Sequence, residues 1–97
     1  MVLGIRIFEY LEANKGKKKL KEKDIVKHFT KELLNEGALE ADAKYLSKTE
    51  LRGLINAGAL CYSYGGGASS VEIPSDEYLK EKGIDKTARQ ILDELYP

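Results

Sequence analysis

The amino-acid sequence predicts one mainly helical α+β domain that spans all 97 residues. Three observations favour this class. Apolar residues recur with the period of a helix over residues 3–13 and 24–34. After Gly58 the pattern changes to the alternation of β-strands, in two runs that contain aromatic and β-branched residues. Three consecutive glycines at 65–67 separate these runs, as at the tip of a hairpin.

The first half of the chain is predicted to contain two amphipathic helices joined by an extended segment. The helix over 3–13 is expected to end at 14–16, where Asn and Gly favour a helix stop. Residues 17–20 then form an extended segment or a very short strand. The second helix is predicted over 24–34 and ends before Gly37.

The third helix is predicted to begin at Ser47. Residues 47–50 have the capping-box pattern, in which the serine hydroxyl accepts from the Glu50 amide and the glutamate accepts from the serine amide. Gly58 is expected to end the helix, and the alanine-rich residues 38–46 fit either a helical turn or two, or a folded loop. At about 100° per residue, one side of this helix faces solvent. That side carries Thr49, Arg52, Gly53 and Asn56, with Lys48 at its flank.

A hairpin and two helices are predicted for the end of the chain. The two strands are expected at about 59–64 and 68–73, and the glycines between them supply positive φ angles. Pro74 ends the second strand because it cannot donate a ladder hydrogen bond. A short helix capped by Ser75 follows, and a last helix is predicted over about 85–95.

Composition excludes several classes of protein. A single Cys and a single His rule out a disulfide framework and a recognisable zinc site, and they favour a reducing, cytoplasmic setting. No apolar run is long enough to span a bilayer. The carboxylates form no spaced acid/base pair, so catalysis is not expected. We therefore expect no metal, cofactor, membrane contact or small-molecule substrate.

The formal net charge of zero hides an uneven distribution of charge. Residues 1–35 carry nine Lys/Arg and five Asp/Glu, a net charge of +4, whereas residues 36–97 carry seven and eleven, a net charge of −4. An acidic half repels a polyanion, so any contact with nucleic acid should use one face. The lysines that are candidates for phosphate contact are Lys17, Lys18, Lys19 and Lys21, unless they form only a solvated turn.

The order of these elements, from residue 3 to residue 95, resembles the winged helix-turn-helix family. The run SKTELRGLINAGAL at 47–60, followed by the hairpin, carries the resemblance. The size and plan are similar to those of small regulators encoded by archaea and their viruses and plasmids. In that family the turn between the second and third helices is usually short, whereas about a dozen residues separate Leu34 from Ser47 here.

The resemblance implies a sequence-specific double-stranded DNA-binding protein, a transcriptional regulator whose third helix enters the major groove. Arg52 would then read guanine and Asn56 adenine, while Thr49 would contact a phosphate or a thymine methyl group. Lys44 and Lys48 would hold the DNA backbone. The alternative is an amphipathic helix that only exposes these residues to water.

The hairpin and the last helix each have two interpretations. As a wing, the hairpin would place Ser63, Tyr64 and Ser69 against the minor groove or the sugar-phosphate edge, together with Tyr62 and Ser70. The alternative is a polar hairpin that makes no contact with DNA. No Lys or Arg lies between Arg52 and Lys80, so such a wing lacks the usual basic residue. The last helix either covers the chain's own core or pairs two copies into a homodimer. The residues of such a dimer contact would be Ile84, Ala88, Ile91, Leu92 and Leu95.

The sequence also leaves a second function open. The zero net charge, the acidic C-terminal half and a wing without cationic residues are typical of a winged helix that binds protein. Such a chain would be a subunit of a transcription, replication or segregation complex.

Overall fold

The computed structural model describes residues 2–63 and 70–97. Within these residues the chain is α+β and mainly helical, as the sequence predicts, with a three-stranded antiparallel sheet in the order β1-β3-β2. The elements are α1 (Leu3–Ala13), β1 (Leu20–Lys21), α2 (Glu22–Asn35), α3 (Glu40–Ala57), β2 (Cys61–Tyr62), β3 (Ser70–Glu72), α4 (Asp76–Glu81) and α5 (Ala88–Leu95).

The sheet is small, and β3 is its central strand. Leu20 of β1 and Tyr62 of β2 both lie opposite Val71, so the segment between α1 and α2 becomes the third strand of the sheet. The first strand, predicted from 59, begins later, because Ala59 and Leu60 turn into the core directly after α3 instead of pairing, and β3 ends at Glu72, one residue before the predicted end. The predicted hairpin tip, with Tyr64 and Ser69, lies outside the described residues.

The main difference from the sequence prediction concerns α3, which begins at Glu40 and not at Ser47. Alanine has the highest helix propensity, and Glu40 and Asp42 in the first turn interact favourably with the helix dipole. These residues start the helix about two turns earlier, so the capping box at Ser47 does not form. Ser47 lies inside the helix with 1% of its surface exposed, and its hydroxyl has no hydrogen-bond partner among the described residues.

Replacing Ser47 by alanine is expected to raise the free energy of unfolding by about 1 kcal/mol. The variant removes a buried hydroxyl that makes no hydrogen bond and introduces a better helix former. Urea denaturation followed by circular dichroism measures the change. Ser75 is the matched control: it caps α4 by accepting from the Tyr78 amide at 3.1 Å, so Ser75→Ala should lower the free energy of unfolding by about 1 kcal/mol. A loss of stability in Ser47→Ala would contradict this description of α3.

The other helix ends follow the sequence more closely. Gly58 ends α3 in the left-handed conformation with φ +94°, and Ser75 caps α4, both as predicted. The last helix begins at Ala88 and not near Asp85, because Thr87 and Gln90 form a capping box there. The second helix begins at Glu22, directly after β1.

The core contains the apolar faces of α1, α2, α3 and α5, together with Ala59 and Leu60 after α3 and one residue each from β1, β3 and α4. Ala88, Ile91 and Leu92, three of the residues predicted for a dimer contact, are buried in this core. The last helix therefore covers the chain's own core, the first of the two interpretations above. Of the other residues predicted for a dimer contact, Leu95 is exposed and Ile84 is half-buried against the core. None of the described helices has the length and apolar character needed to cross a membrane.

Candidate nucleic-acid interface

A groove of about 750 Å³ runs between α2 and α3. Six of its nine lining residues are cationic, and Glu22 is the one carboxylate among them. We call this feature the cationic groove. Its lining residues are Lys21, Glu22, Lys23, Val26, Lys27, Thr30, Lys44, Lys48 and Arg52. In a chain with no net charge, this concentration of cations makes the groove locally positive.

Helical spacing explains how the cationic groove is built. On α3 the cations Lys44, Lys48 and Arg52 follow each other at intervals of four residues, which places them along one side of a helix. On α2 the same interval separates Lys23 and Lys27. The sequence contains both repeats, but the first one becomes a single face only when 40–57 is one continuous helix.

The predicted outward side of α3 is exposed in the structure. Thr49, Arg52 and Asn56 face solvent, while Leu51 and Leu54 on the opposite side are fully buried. Tyr45 lies on the same outward side, one helical turn before Thr49, with 69% of its surface exposed. Sequence reasoning missed Tyr45 because it placed this residue before the helix.

Glu22 forms a small network at one end of the cationic groove. Its carboxylate accepts a hydrogen bond from the Tyr62 hydroxyl at 2.6 Å and one from Arg52 Nε at 3.3 Å. The Glu22 side chain is 14% exposed and that of Arg52 is 56% exposed. The hydrogen bond to Glu22, followed by partial burial, raises the pKa of Tyr62. Sequence reasoning did not find Glu22, since its partners lie 30 and 40 residues away and meet it only in the fold.

The structure divides the predicted lysine cluster between two places. Lys21 lines the cationic groove, whereas Lys17, Lys18 and Lys19 line a separate hollow of about 320 Å³ beside β3. The two depressions have no lining residue in common, and Glu72 partly offsets the charge of the second one. The main cationic surface therefore depends on α2 and α3 more than on the turn after α1.

The part of the predicted wing that the structure describes is not well placed for phosphate contact through Ser63. The Ser63 hydroxyl is shielded from solvent and has no hydrogen-bond partner among residues 2–63 and 70–97, while the Ser63 amide donates to the Ser70 carbonyl at 2.9 Å. Tyr62, by contrast, is exposed beside Glu22.

Cys61 and His28 both take part in packing. Burial, with a smaller contribution from the charge of Glu72, raises the pKa of the Cys61 thiol to about 11 and so keeps it protonated near neutral pH. The His28 ring stacks on Tyr10, with ring centroids 4.2 Å apart, and contacts Phe29 edge-on. Across the described ranges, no group of three or more His, Cys, Asp or Glu residues is arranged to hold a metal ion.

No family model, curated protein or solved structure matches the chain.

Proposed function

We propose that this protein is a winged helix-turn-helix protein that binds double-stranded DNA and regulates transcription. In this proposal α3 enters the major groove with its outward side, and the lysines of the cationic groove contact the flanking phosphates. The observation that carries the proposal is the cationic groove itself, whose lining combines six cationic residues from three elements with one carboxylate in a chain of zero net charge.

The arrangement of elements supports the winged-helix part of the proposal. The resemblance expects a helix, a short extended segment, two further helices, a hairpin and a last helix, and α1, β1, α2, α3, β2, β3 and α5 follow that order. Because α3 begins at Glu40, the connection from α2 is only residues 36–39. The long turn that set this chain apart from the family at the sequence level is therefore absent.

The dimensions of α3 suit the major groove. An α-helix with side chains is about 10–12 Å across, and the major groove of B-DNA is about 12 Å wide. The 18 residues of α3 span about 27 Å, enough to cross the groove with residues free at both ends. Gly53 adds no side chain to the outward side between Arg52 and Asn56, and beyond its own helix backbone and chain neighbours no described atom lies within 4 Å of the position its Cβ would take. Close approach of DNA is therefore sterically open at this point.

The test compares two pairs of lysine substitutions that change the net charge equally. Lys44→Gln with Lys48→Gln removes two cations from the cationic groove, and Lys80→Gln with Lys82→Gln removes two from α4 and its end. Binding to a fluorescent random duplex is measured by anisotropy from about 50 to 200 mM salt. We expect the groove pair to reduce the slope of log K against log salt by about two, because each lost phosphate contact removes about one unit. The α4 pair should leave the slope nearly unchanged.

Two outcomes would contradict the proposal. One is a wild-type protein that shows no retention on heparin and no binding to duplex DNA at about 50 mM salt. The other is an equal loss of affinity in both lysine pairs, which would mean that only the overall charge matters. Selection from random duplexes then identifies the preferred site, and sedimentation of the complex tests the predicted homodimer.

A protein partner is the second candidate function. Leu39 and Tyr45 are 72% and 69% exposed near the start of α3, so their apolar surface is accessible to a protein partner. If the wild-type protein fails to bind DNA, this end of α3 is the surface to test. Leu39→Ser should then weaken capture of the partner, whereas Lys80→Gln should not.

A further inference from the structure

Glu22 is an unusual residue for a surface that binds phosphates. It is the one carboxylate that lines the cationic groove, and like charge repels DNA. Nevertheless it is less exposed than its partner Arg52 and is held by two hydrogen bonds from different elements. Its position at the first residue of α2 is fixed by β1 on one side and by the helix on the other.

The contact between Glu22 and Arg52 uses only one edge of the guanidinium group. Glu22 Oε1 accepts from Nε at 3.3 Å, on the side of the group next to its aliphatic stem. In the described part of the chain neither Nη atom of Arg52 has a hydrogen-bond partner. Arginine recognises guanine with a pair of parallel N–H donors, so its two terminal nitrogens remain available for that contact.

Tyr62 completes the network from the sheet. Its hydroxyl donates to the other oxygen of Glu22 at 2.6 Å, a short distance that is typical of a charge-assisted hydrogen bond. The carboxylate is thus fixed between β2 and α3. A fixed carboxylate restricts the rotamers of the arginine that it contacts, so less conformational freedom is lost when the arginine binds a base.

From this arrangement we propose that Glu22 is a positioning residue for base recognition: it orients Arg52 so that its terminal nitrogens face a guanine in the major groove. This inference rests on the proposed function. As a consequence, the carboxylate lowers the affinity for any DNA and increases the preference for one sequence over others.

The variant Glu22→Gln separates these two effects because they have opposite signs. Its affinity for a scrambled duplex should increase, since the cationic groove gains one unit of positive charge. The ratio of affinities for the selected and scrambled duplexes should fall by about tenfold, because Arg52 loses its orienting charge. Anisotropy titrations of both duplexes at one salt concentration give the ratio. Glu81→Gln, an equal change of charge at an exposed site in α4, should leave the ratio unchanged.

A double-mutant cycle with Arg52→Ala tests whether the effect passes through Arg52. In the Arg52→Ala background, Glu22→Gln should have no further effect on the ratio. Circular dichroism at the assay temperature confirms that each variant is folded. Tyr62→Phe, which leaves the carboxylate in place, should reduce the ratio less than Glu22→Gln does.

The possible failures are distinguishable. A wild-type protein that binds no duplex overturns the proposed function, and this inference with it. A wild-type protein that binds all duplexes equally, or a Glu22→Gln variant with an unchanged ratio, overturns only the inference. An increase in affinity that is equal for both duplexes also overturns it, because Glu22 would then only mask Arg52.

Discussion

Replacing Leu54 by alanine is expected to lower the free energy of unfolding by about 2–5 kcal/mol. Leu54 lies in α3 on the side opposite Arg52 and Asn56, and none of its surface is exposed. The substitution removes buried apolar atoms and leaves a cavity that the surrounding core fills only in part. Small domains have a total stability of about 5–15 kcal/mol, so the loss is a large fraction of it.

Asn56→Ala is the matched control in the same helix. Asn56 is exposed on the outward side of α3, so its replacement should change the free energy of unfolding by less than about 0.5 kcal/mol. Urea denaturation of the two variants and the wild type measures both effects. Equal effects, or a larger loss in Asn56→Ala, would mean that α3 is rotated about its axis relative to this structure. The outward side would then not be available to a ligand.

The orientation of α3 was predictable from the sequence, whereas its length was not. Leu51, Leu54 and Ile55 recur at helical spacing, and hydrophobic burial then fixes which side faces solvent. The beginning of the helix depends on competition between two weak signals. A capping pattern at Ser47 contributes about 1 kcal/mol, and alanine-rich residues before it contribute a few tenths each through helix propensity. Ala43, one of these alanines, is fully buried, and its burial further favours a helix that begins before Ser47.

The cationic groove illustrates what the sequence alone does not determine. The repeat of Lys44, Lys48 and Arg52 is visible in the sequence, and so is that of Lys23 and Lys27. That the two repeats face each other depends on how α2 packs against α3. The network of Glu22 is still less accessible to sequence reasoning, because hydrogen bonds between residues 30 and 40 positions apart follow from tertiary structure.

The last helix shows how burial decides between two uses of the same apolar stripe. Ile91 and Leu92 have the same spacing whether they cover the chain's own core or a second copy. In the structure they pack within the chain. Arg89 lies beside α1, with its Nη2 3.9 Å from Glu9 Oε2 and its Nη1 3.6 Å from Glu12 Oε1. A chain of this size has few apolar residues to spare, so its own core takes them first.

Gly4→Ala is expected to destabilise the protein by about 1–2 kcal/mol, although alanine favours a helix by up to about 1 kcal/mol over glycine. Gly4 is buried in α1 against the ring of Tyr96, and a Cβ at this position would lie 2.7 Å from Tyr96 Cε2 and would overlap the end of the ring. The Tyr96 side chain must move, which breaks the hydrogen bond that its hydroxyl donates to Glu50 at 2.7 Å. A hydrogen bond to a charged group contributes about 1.5–3 kcal/mol.

The titration of Tyr96 gives this prediction a second measurement. Burial, together with the hydrogen bond to Glu50, raises the pKa of Tyr96 to about 12. Because the unfolded chain loses this proton near pH 10, the contribution of Tyr96 to stability is present below that pH and is lost as the pH rises to about 12. The pKa of Tyr62 is also raised, so the absorbance of tyrosinate at alkaline pH is recorded in a Tyr62→Phe background, where Tyr96 should appear as a late-titrating group. In Gly4→Ala that group should titrate earlier, and in Tyr96→Phe it should be missing.

Gly53→Ala is the control for helix propensity, because it is the same substitution at an exposed position inside α3. Beyond the local helix backbone and the chain neighbours, no described atom lies within 4 Å of the added Cβ, so the variant should be more stable than the wild type by about 1 kcal/mol. Opposite signs at Gly4 and Gly53 would establish that Tyr96 packs on Gly4 and joins the start of α1 to α3 through Glu50. If Gly4→Ala also stabilises the protein and leaves the late tyrosine titration unchanged, the end of the chain does not pack there. The start of α1 would then be held by its apolar contacts with the core and by the ion pairs of Arg6 with Glu32 and Glu36.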